Sequence, residues 1–228
     1  GRSAGRFPYR HHMAPGMTPV LEHADFFVFN KPAGISFHSE DGAGFFALLA
    51  KEYPNEALFP VHRLDKITSG LLLIARNKPS ARQLGQLFES HAIKKTYIAL
   101  SDCKPSKKQG AVSGDMQRTR NGNWKLLRSR NNPAITHFTS HSLAPSLRLF
   151  VLAPQTGRTH QLRVMMKSLG SPILGDVRYG GTAADRGYLH ASRLQFEWSG
   201  QHIDIGLMPA SGELFDQFSA GINGYLHA

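Results

Sequence analysis

A charged loop that runs directly into an uninterrupted apolar segment places the strongest constraint on the fold of this chain. Residues 71–75 read Leu-Leu-Leu-Ile-Ala, with no polar residue between them. A strand with one solvent-exposed face alternates apolar and polar residues, so an unbroken run predicts a strand buried on both faces. Such a strand belongs inside a sheet, and the loop before it, residues 62–70, is then held at the mouth of that sheet.

The loop carries one acid, Asp65, between two basic residues, Arg63 and Lys66. Small residues follow at 68–70 and can lie close to another backbone. An acid in this position has four explanations. It is a turn residue, a cap, half of a surface ion pair, or a nucleophile or base at the mouth of a sheet. The loop alone leaves these alternatives open.

Strand patterns elsewhere outnumber helical ones. They occur at residues 25–30, 94–100, 134–141, 147–152, 188–198 and 201–205, with a shorter candidate at 35–38. Helical spacing of apolar residues occurs at 45–53, 79–91, 157–169 and 213–218, with Thr156 as the expected cap of the third helix. Strands and helices do not alternate regularly. The sequence therefore predicts an α+β fold with a largely antiparallel, mixed central β-sheet flanked by helices and loops.

Length and composition predict one compact domain or two intimate subdomains. Residues 1–16 resemble an expression-vector leader, with Met17 as the expected native start, so residues 17–228 form the expected folded part. No segment approaches the roughly 18 consecutive apolar residues of a membrane span. Cys103 is the only cysteine and excludes an internal disulfide, which favours a reducing cytoplasm.

A strongly basic charge balance favours a polyanionic partner. The formal net charge is +11, and removing the three arginines of residues 1–16 leaves +8. The alternative is a basic protein whose charge only prevents aggregation. Many of the cations fall in residues 101–147, with Trp124 and the hairpin signal Asn121-Gly122. This region is either a solvated hairpin layer or a surface that contacts phosphate.

Several chemistries lack their motifs. No HExxH or CxxC pattern is present, so no metal site is predicted. GxGxxG, GxxxxGK[ST] and GxSxG patterns are also absent, which argues against nucleotide-triphosphate chemistry and against a serine hydrolase. What remains is an acid, a tyrosine and an arginine on three separate predicted elements: Asp65, Tyr97 and Arg163.

The motifs around these residues resemble the RluA family of pseudouridine synthases. Residues 62–65 (His-Arg-Leu-Asp) and 68–72 are similar to its central motif. Further similarities follow in family order at residues 30–34, 95–97, 157–164, 172–176 and 189–191. The resemblance covers about residues 25–195 and involves the catalytic domain, without the S4-type RNA-binding domain of some relatives.

The resemblance implies a pseudouridine synthase catalytic fold with a central RNA-binding cleft. It implies an isomerase that flips a specific uridine out of ribosomal or transfer RNA and converts it to pseudouridine without a cofactor. Asp65 is then the nucleophile or the group that assists glycosidic cleavage, and Arg163 is the cation that pairs with it. Tyr97 offers a ring face for the base and a hydroxyl for proton transfer.

RNA contacts are expected from a wider set of side chains around the loop. The candidates are His62, Arg63, Thr68, Lys94, Lys95, Arg158 and His160. For each charged residue taken alone, the alternative to an RNA contact is a solvated side chain at the rim of the cleft. The sequence departs from the family pattern at Met165, where histidine is frequent, and at residues 198–199, where a His-Pro pair is frequent. RNA contacts near the predicted helix at residues 157–169 are therefore expected to differ.

The expected partner is RNA. The protein is expected to be a monomer and not to associate with a membrane. A non-catalytic RNA-binding protein or RNA-folding chaperone on the same fold is the alternative. A hydrolase that releases free uracil is a third reading.

Overall fold

The computed structural model describes residues 16–38 and 42–227, so the expected leader lies outside the described residues except for Gly16. The strands in chain order are β1 (Leu21–Glu22), β2 (Phe26–Lys31), β3 (Phe59–Pro60), β4 (Thr68–Ala75), β5 (Lys94–Ser101), β6 (Gly110–Gly114), β7 (Met116–Arg118), β8 (Trp124–Leu126), β9 (Ala134–Ala144), β10 (Leu147–Pro154), β11 (Leu189–Trp198) and β12 (Gln201–Gly206). The helices are α1 (Phe45–Glu52), α2 (Lys78–Glu89), α3 (Gln161–Ser168), α4 (Glu213–Gln217) and α5 (Ser219–Leu226), with a 3₁₀ turn at Val177–Tyr179.

One ten-stranded mixed sheet forms the centre of the molecule. Its main path runs β1-β2-β4-β11-β5-β10-β9-β6, while β3 adds to β4 and β12 adds to β11. Within the described residues, β4 and β11 are the parallel pair of this sheet and the other pairs are antiparallel. Strands β7 and β8 form a separate antiparallel hairpin. The predicted α+β fold with a largely antiparallel sheet is confirmed.

Strand β4 is buried along its whole length, as the apolar run predicts. Its side chains alternate between two cores on opposite faces of the sheet. Leu72 and Ile74 pack in a core that includes α1, whereas Leu71 and Leu73 pack in a core that includes Leu84 of α2. Each fully buried side chain of this size contributes roughly 1.5–3 kcal/mol, so β4 is a firmly anchored support for the loop before it.

Three local predictions differ from the structure. Residues 35–38 are not a strand, because the Ser36 and Phe37 carbonyls accept hydrogen bonds from the first amides of α1 at Phe45 and Phe46. Thr156 does not cap α3, which begins at Gln161; the Thr156 hydroxyl bonds Gln161 Oε1 at 2.7 Å instead. Helix α5 lies beyond the last predicted helix. No helix within the described residues combines the length and the apolar character that crossing a bilayer requires.

Gly70 lies where β4 meets β11. Its φ is +116°, and a Cβ atom at this position would lie 2.3 Å from the Ala191 carbonyl oxygen. Gly70 and Ala191 are also partners in the parallel ladder. Because the obstacle is backbone and not a flexible side chain, only glycine lets the two strands approach this closely.

We expect Gly70→Ala to lower the free energy of unfolding by about 3 kcal/mol or more, since it combines an unfavourable φ with a backbone clash. Gly34→Ala is the matched control: φ is +87°, but no heavy atom lies within 4 Å of the added Cβ. Its expected cost is only about 1–2 kcal/mol, from the backbone conformation alone. Urea unfolding of both variants measures the difference, and equal losses would contradict this account.

Candidate active site

The loop at residues 62–67, here called the Asp65 loop, is held by backbone hydrogen bonds at the start of β4. The Asp65 carbonyl accepts from the Thr68 amide at 3.0 Å, and the Lys66 carbonyl accepts from the Gly34 amide at 2.7 Å. The side chain of Asp65 is half-buried, with 31% of its surface exposed. The backbone of the loop is therefore fixed while its acid remains accessible.

Asp65 lines two neighbouring cavities. The first cavity, about 520 Å³, extends towards Tyr97, Lys95 and Leu189. The second cavity, about 560 Å³, extends towards Phe37 and Trp124. The two cavities share four lining residues: Arg63, Leu64, Asp65 and His160. Together they form a cleft with Asp65 at its centre.

Arg163 binds two acids at once. It is 5% exposed on α3, and its Nη1 lies 3.8 Å from Asp65 Oδ2. Its Nε and Nη2 donate to the two carboxylate oxygens of Asp176 at 2.9 and 2.8 Å. Burial opposes the charge of Arg163, but the hydrogen bonds and the attraction of Asp176 and Asp65 outweigh it and raise the pKa of Arg163. Arg163 is therefore a fixed cation beside Asp65.

Tyr179 supports the other side of Arg163. The guanidinium lies over the Tyr179 ring, 4.9 Å from its centroid. The Tyr179 hydroxyl accepts from the Trp124 amide at 3.0 Å and shares a 2.6 Å hydrogen bond with His160 Nδ1. Burial lowers the pKa of His160, which favours a neutral ring whose Nδ1 accepts a hydrogen bond from the Tyr179 hydroxyl. Tyr179 thus links α3, hairpin β7–β8 and the cleft.

Tyr97 enters the first cavity from the middle of β5. It pairs with Leu152 on one side and Ala191 on the other, so its position is set by three strands. Burial and the negative charge of Asp65 raise the pKa of Tyr97. Its hydroxyl therefore remains protonated and able to donate a hydrogen bond. Asp65 therefore lines one cavity with Tyr97 and the other with Arg163, and the three residues come from three elements.

Residues 25–168 match the family model described as RNA pseudouridylate synthase. This chain belongs to the RNA pseudouridylate synthase family. An uncharacterized RNA pseudouridine synthase from Haemophilus influenzae is 51% identical over 199 residues, which cover 86% of this chain and 89% of that protein. The resemblance of the motifs to the RluA family is confirmed.

Two further relatives extend the comparison. Ribosomal large subunit pseudouridine synthase C from Rickettsia bellii is 39% identical over 168 residues, covering 71% of this chain. The match spans 56% of the length of that relative. The solved structure of human RNA pseudouridylate synthase domain containing 4 superposes with a TM-score of 0.72 at 25% identity, covering 90% of this chain and 92% of that one. As a member of this family, the chain is an isomerase of the RNA pseudouridine synthase class.

Most of the RNA-contact candidates lie around the first cavity. Its lining includes His62, Arg63, Thr68, Lys95, Arg158 and His160. Lys94 lines neither cavity; it is exposed at the start of β5, where its strand partner is Gln195. Strand alternation explains the separation, because consecutive residues point to opposite faces of the sheet.

His62 has a structural partner. Along this side of β4, β11 covers only residues 68–70 and β3 covers only residues 74–75. His62 Nε2 accepts a hydrogen bond from the Leu73 amide at 2.8 Å, and its ring stacks on Phe88 with centroids 4.4 Å apart. Burial, with a smaller effect of Lys95, lowers the pKa of His62 to about 3. Its neutral ring therefore completes the hydrogen bonding of β4.

Lys95 is a half-buried cation in the first cavity. Burial lowers its pKa, and among the described residues it makes no ion pair. Its Nζ would lie 3.3 Å from a Cβ at Gly157, so the glycine leaves room for the ammonium group. Arg158 is more constrained, since its Nη2 donates to Asn132 Oδ1 at 2.8 Å.

Ser69 belongs to a buried network and not to a nucleophilic site. Arg186 Nη2 donates to Ser69 Oγ at 2.8 Å, and Ser69 Oγ lies 2.7 Å from His190 Nδ1. His190 Nε2 lies 2.8 Å from the Leu207 carbonyl, which can only accept. The ring proton is therefore on Nε2, and the Ser69 hydroxyl donates to Nδ1. The network joins β4 to β11 beneath the Asp65 loop.

The two departures from the family pattern lie away from the cleft. Met165 is buried in the core behind α3, and Trp198 donates its Nε1 hydrogen to Asp25 Oδ2 at 3.0 Å. Neither residue lines either cavity. In the part of the chain that the structure describes, no three His, Cys, Asp or Glu side chains are grouped so that they could hold a metal ion.

Sequence reasoning missed two residues of this site, Asp176 and Tyr179. Both lie in the glycine-rich loop after α3, and Asp176 closes the 172–176 motif. The motif was a signal that the loop matters, but only the folded loop shows that Asp176 bonds Arg163 at two points. Asp176 is 1% exposed, so its role rests on burial, which no local pattern encodes.

We expect Asp176→Ala to lower the free energy of unfolding by about 3–5 kcal/mol, because it leaves Arg163 buried and without its main partner. Asp204→Ala is the matched control. Asp204 also receives two bonds from one arginine, Arg193, at 2.8 and 2.6 Å, but this pair is exposed. An exposed pair contributes less than about 1 kcal/mol. Chemical denaturation of both variants tests the difference, and similar losses would show that burial is not decisive.

His190 predicts a pH-dependent stability. Burial is the main cause that lowers the pKa of His190 to about 4, below its ordinary value of 6.5. Between these values the unfolded chain binds a proton that the folded protein does not, so stability falls as pH falls through this window. The expected loss from this residue is on the order of 3 kcal/mol. The free energies of unfolding of wild type and His190→Asn, measured from pH 7 to pH 4, should converge at acidic pH. A constant difference between them across this range would contradict the assignment.

Proposed function

We propose that this chain isomerises uridine to pseudouridine in large-subunit ribosomal RNA, with Asp65 as the group that attacks or assists at the glycosidic bond. The observation that carries the proposal is the position of Asp65, which lines one cavity with Tyr97 and lies 3.8 Å from the buried Arg163. The reaction breaks the N1–C1′ bond and forms a C5–C1′ bond. The C5 proton is released, and N1 takes up a proton.

The first requirement of this reaction is an ionised acid. Arg163 is fixed 3.8 Å from Asp65 by its two bonds to Asp176 and by the Tyr179 ring. A cation held at ion-pair distance from a carboxylate orients it. Because Asp176 and Tyr179 hold Arg163 in place, it can pair with Asp65 while 31% of the Asp65 side chain stays exposed to substrate.

The second requirement is a place for an extruded base. The first cavity, about 520 Å³, falls within the usual range of about 300–1,000 Å³ for ligand pockets. Tyr97 supplies an aromatic face and a protonated hydroxyl, and Leu162 and Leu189 supply apolar surface. Taking a base out of its stack costs a few kcal/mol, which stacking on an aromatic ring offsets in part.

The third requirement is attraction of the phosphate backbone. Arg63 is exposed on the Asp65 loop and lines both cavities, so it can contact phosphate or fill the gap that the extruded base leaves. Lys95 and Arg158 lie along the first cavity. These cations attract RNA of any sequence, so they supply affinity and not the choice of uridine.

The substrate class rests on the relatives. Several are named as ribosomal large subunit pseudouridine synthases, at 32–39% identity, and this chain covers between 51% and 67% of their length. Large-subunit ribosomal RNA is therefore the substrate to test first, with transfer RNA as the comparison.

We expect Asp65→Asn to reduce pseudouridine formation by more than about a thousandfold, because the amide is neither a nucleophile nor a base. The substrate is transcribed large-subunit ribosomal RNA, and the readout is pseudouridine mapping with single-turnover kinetics. Asp204→Asn, the same change at an exposed acid outside the cleft, should match wild type.

RNA affinity is measured in parallel by filter binding and should change little in Asp65→Asn. Turnover of Asp65→Asn at the wild-type rate would refute the role of Asp65. RNA binding by wild type without any turnover would favour a chaperone, and free uracil would favour a hydrolase.

A further inference from the structure

The reaction described above places the extruded base in the first cavity, which Tyr97 lines; the second cavity is lined by Asp65 and Arg163 but not by Tyr97. Asp65 forms part of the boundary between them. Aromatic rings line the second cavity at Phe37, His38 and Trp124, and the exposed cations that line it are Arg63, Lys66, Arg118 and Arg178. Among the described residues that line it, Asp65 is the one acid. Rings beside cations next to a reacting nucleotide suit a further nucleotide.

The wall that carries Trp124 is fixed before any ligand binds. Hairpin β7–β8 is separate from the main sheet, but Arg178 donates from Nε to Asn123 Oδ1 at 2.5 Å and from Nη2 to the Gly122 carbonyl at 2.9 Å. The Trp124 amide donates to the Tyr179 hydroxyl at 3.0 Å. A preorganised wall lowers the entropy that a bound base must lose.

Tyr179 also connects this wall to Arg163. Its ring carries the guanidinium at 4.9 Å, and its hydroxyl is bonded to both Trp124 and His160. The backbone of Trp124 is therefore joined through Tyr179 to the cation that lies beside Asp65.

We propose that the second cavity binds a nucleotide that neighbours the target uridine in the RNA chain, with its base stacked on Trp124 and its phosphate beside Arg118. The inference rests on the proposed function, since it needs a target uridine in the first cavity. The Arg178 side chain is bonded to the hairpin, whereas the Arg118 side chain is exposed and makes no hydrogen bond or ion pair within the described residues. Arg118 is thus a cation on the Trp124 hairpin that is available to phosphate, as Arg63 and Lys66 are on the Asp65 loop.

The chain offers a direct probe, because it has two tryptophans. Trp198 is 2% exposed and bonded to Asp25, outside both cavities, so a change in tryptophan emission on RNA binding reports Trp124. The ligands are pentauridylate and, as a single nucleotide, uridine 5′-monophosphate. Pentauridylate should quench the emission and the mononucleotide should not. Trp124→Phe should remove the quenching and keep most of the affinity.

Affinity is the second readout. Trp124→Ala should weaken pentauridylate binding about 5- to 150-fold, the loss of one base–aromatic stack, and leave binding of the mononucleotide unchanged. Lys125→Ala is the control, since Lys125 is exposed on the same strand and lines neither cavity. Its loss should be at most a few-fold, from one charge.

Three results would overturn the subsite. These are equal pentauridylate affinity of Trp124→Ala and wild type, quenching that persists in Trp124→Phe, and no binding of pentauridylate by wild type at millimolar concentration. If wild type still forms pseudouridine in ribosomal RNA, such a result removes the subsite and leaves the proposed function. If Trp124-dependent binding is found without any turnover, the proposed function fails and the RNA site remains.

Discussion

The bidentate pair between Arg163 and Asp176 is the interaction on which the rest of the cleft depends. Both side chains are almost fully buried, and a buried charge without a partner is strongly unfavourable. The pair joins α3 to the loop that follows it, and that loop carries Tyr179. The Arg163 guanidinium lies over the Tyr179 ring, and the Tyr179 hydroxyl in turn bonds Trp124 and His160. The position of the cation beside Asp65 is a consequence of this framework.

The Asp65 loop is held by a second, independent framework, the junction of β4 with β11. Gly70 allows the two backbones to approach, and the Arg186–Ser69–His190 network joins their polar groups beneath the loop. His62 covers a β4 amide that neither β3 nor β11 reaches. The acid and its cation thus belong to different parts of the molecule, and their distance depends on the packing of α3 against the sheet.

The sequence indicates the elements well where the pattern is determined by burial. The unbroken run at residues 71–75 predicts a central strand, and the hairpin of β11 and β12 follows from alternation and a turn. Residues 35–38 have strand-like composition, but their carbonyls bond the amides of α1, a tertiary contact that composition does not report. Asp65, Tyr97 and Arg163 were named from motifs. Asp176 and Tyr179 required the fold, because their partners lie 13 or more positions away in the sequence.

The sharing of Arg163 between two carboxylates also sorts the parts of a nucleotide by charge. Because Arg163 is shared between Asp65 and Asp176, these three side chains together carry one net negative charge at the centre of the cleft, whereas the exposed Arg63 carries a positive charge at its margin. A phosphate is attracted to the margin and repelled from the centre, whereas a uracil ring carries no net charge and meets no such barrier. The arrangement therefore admits the base in preference to the backbone that delivers it.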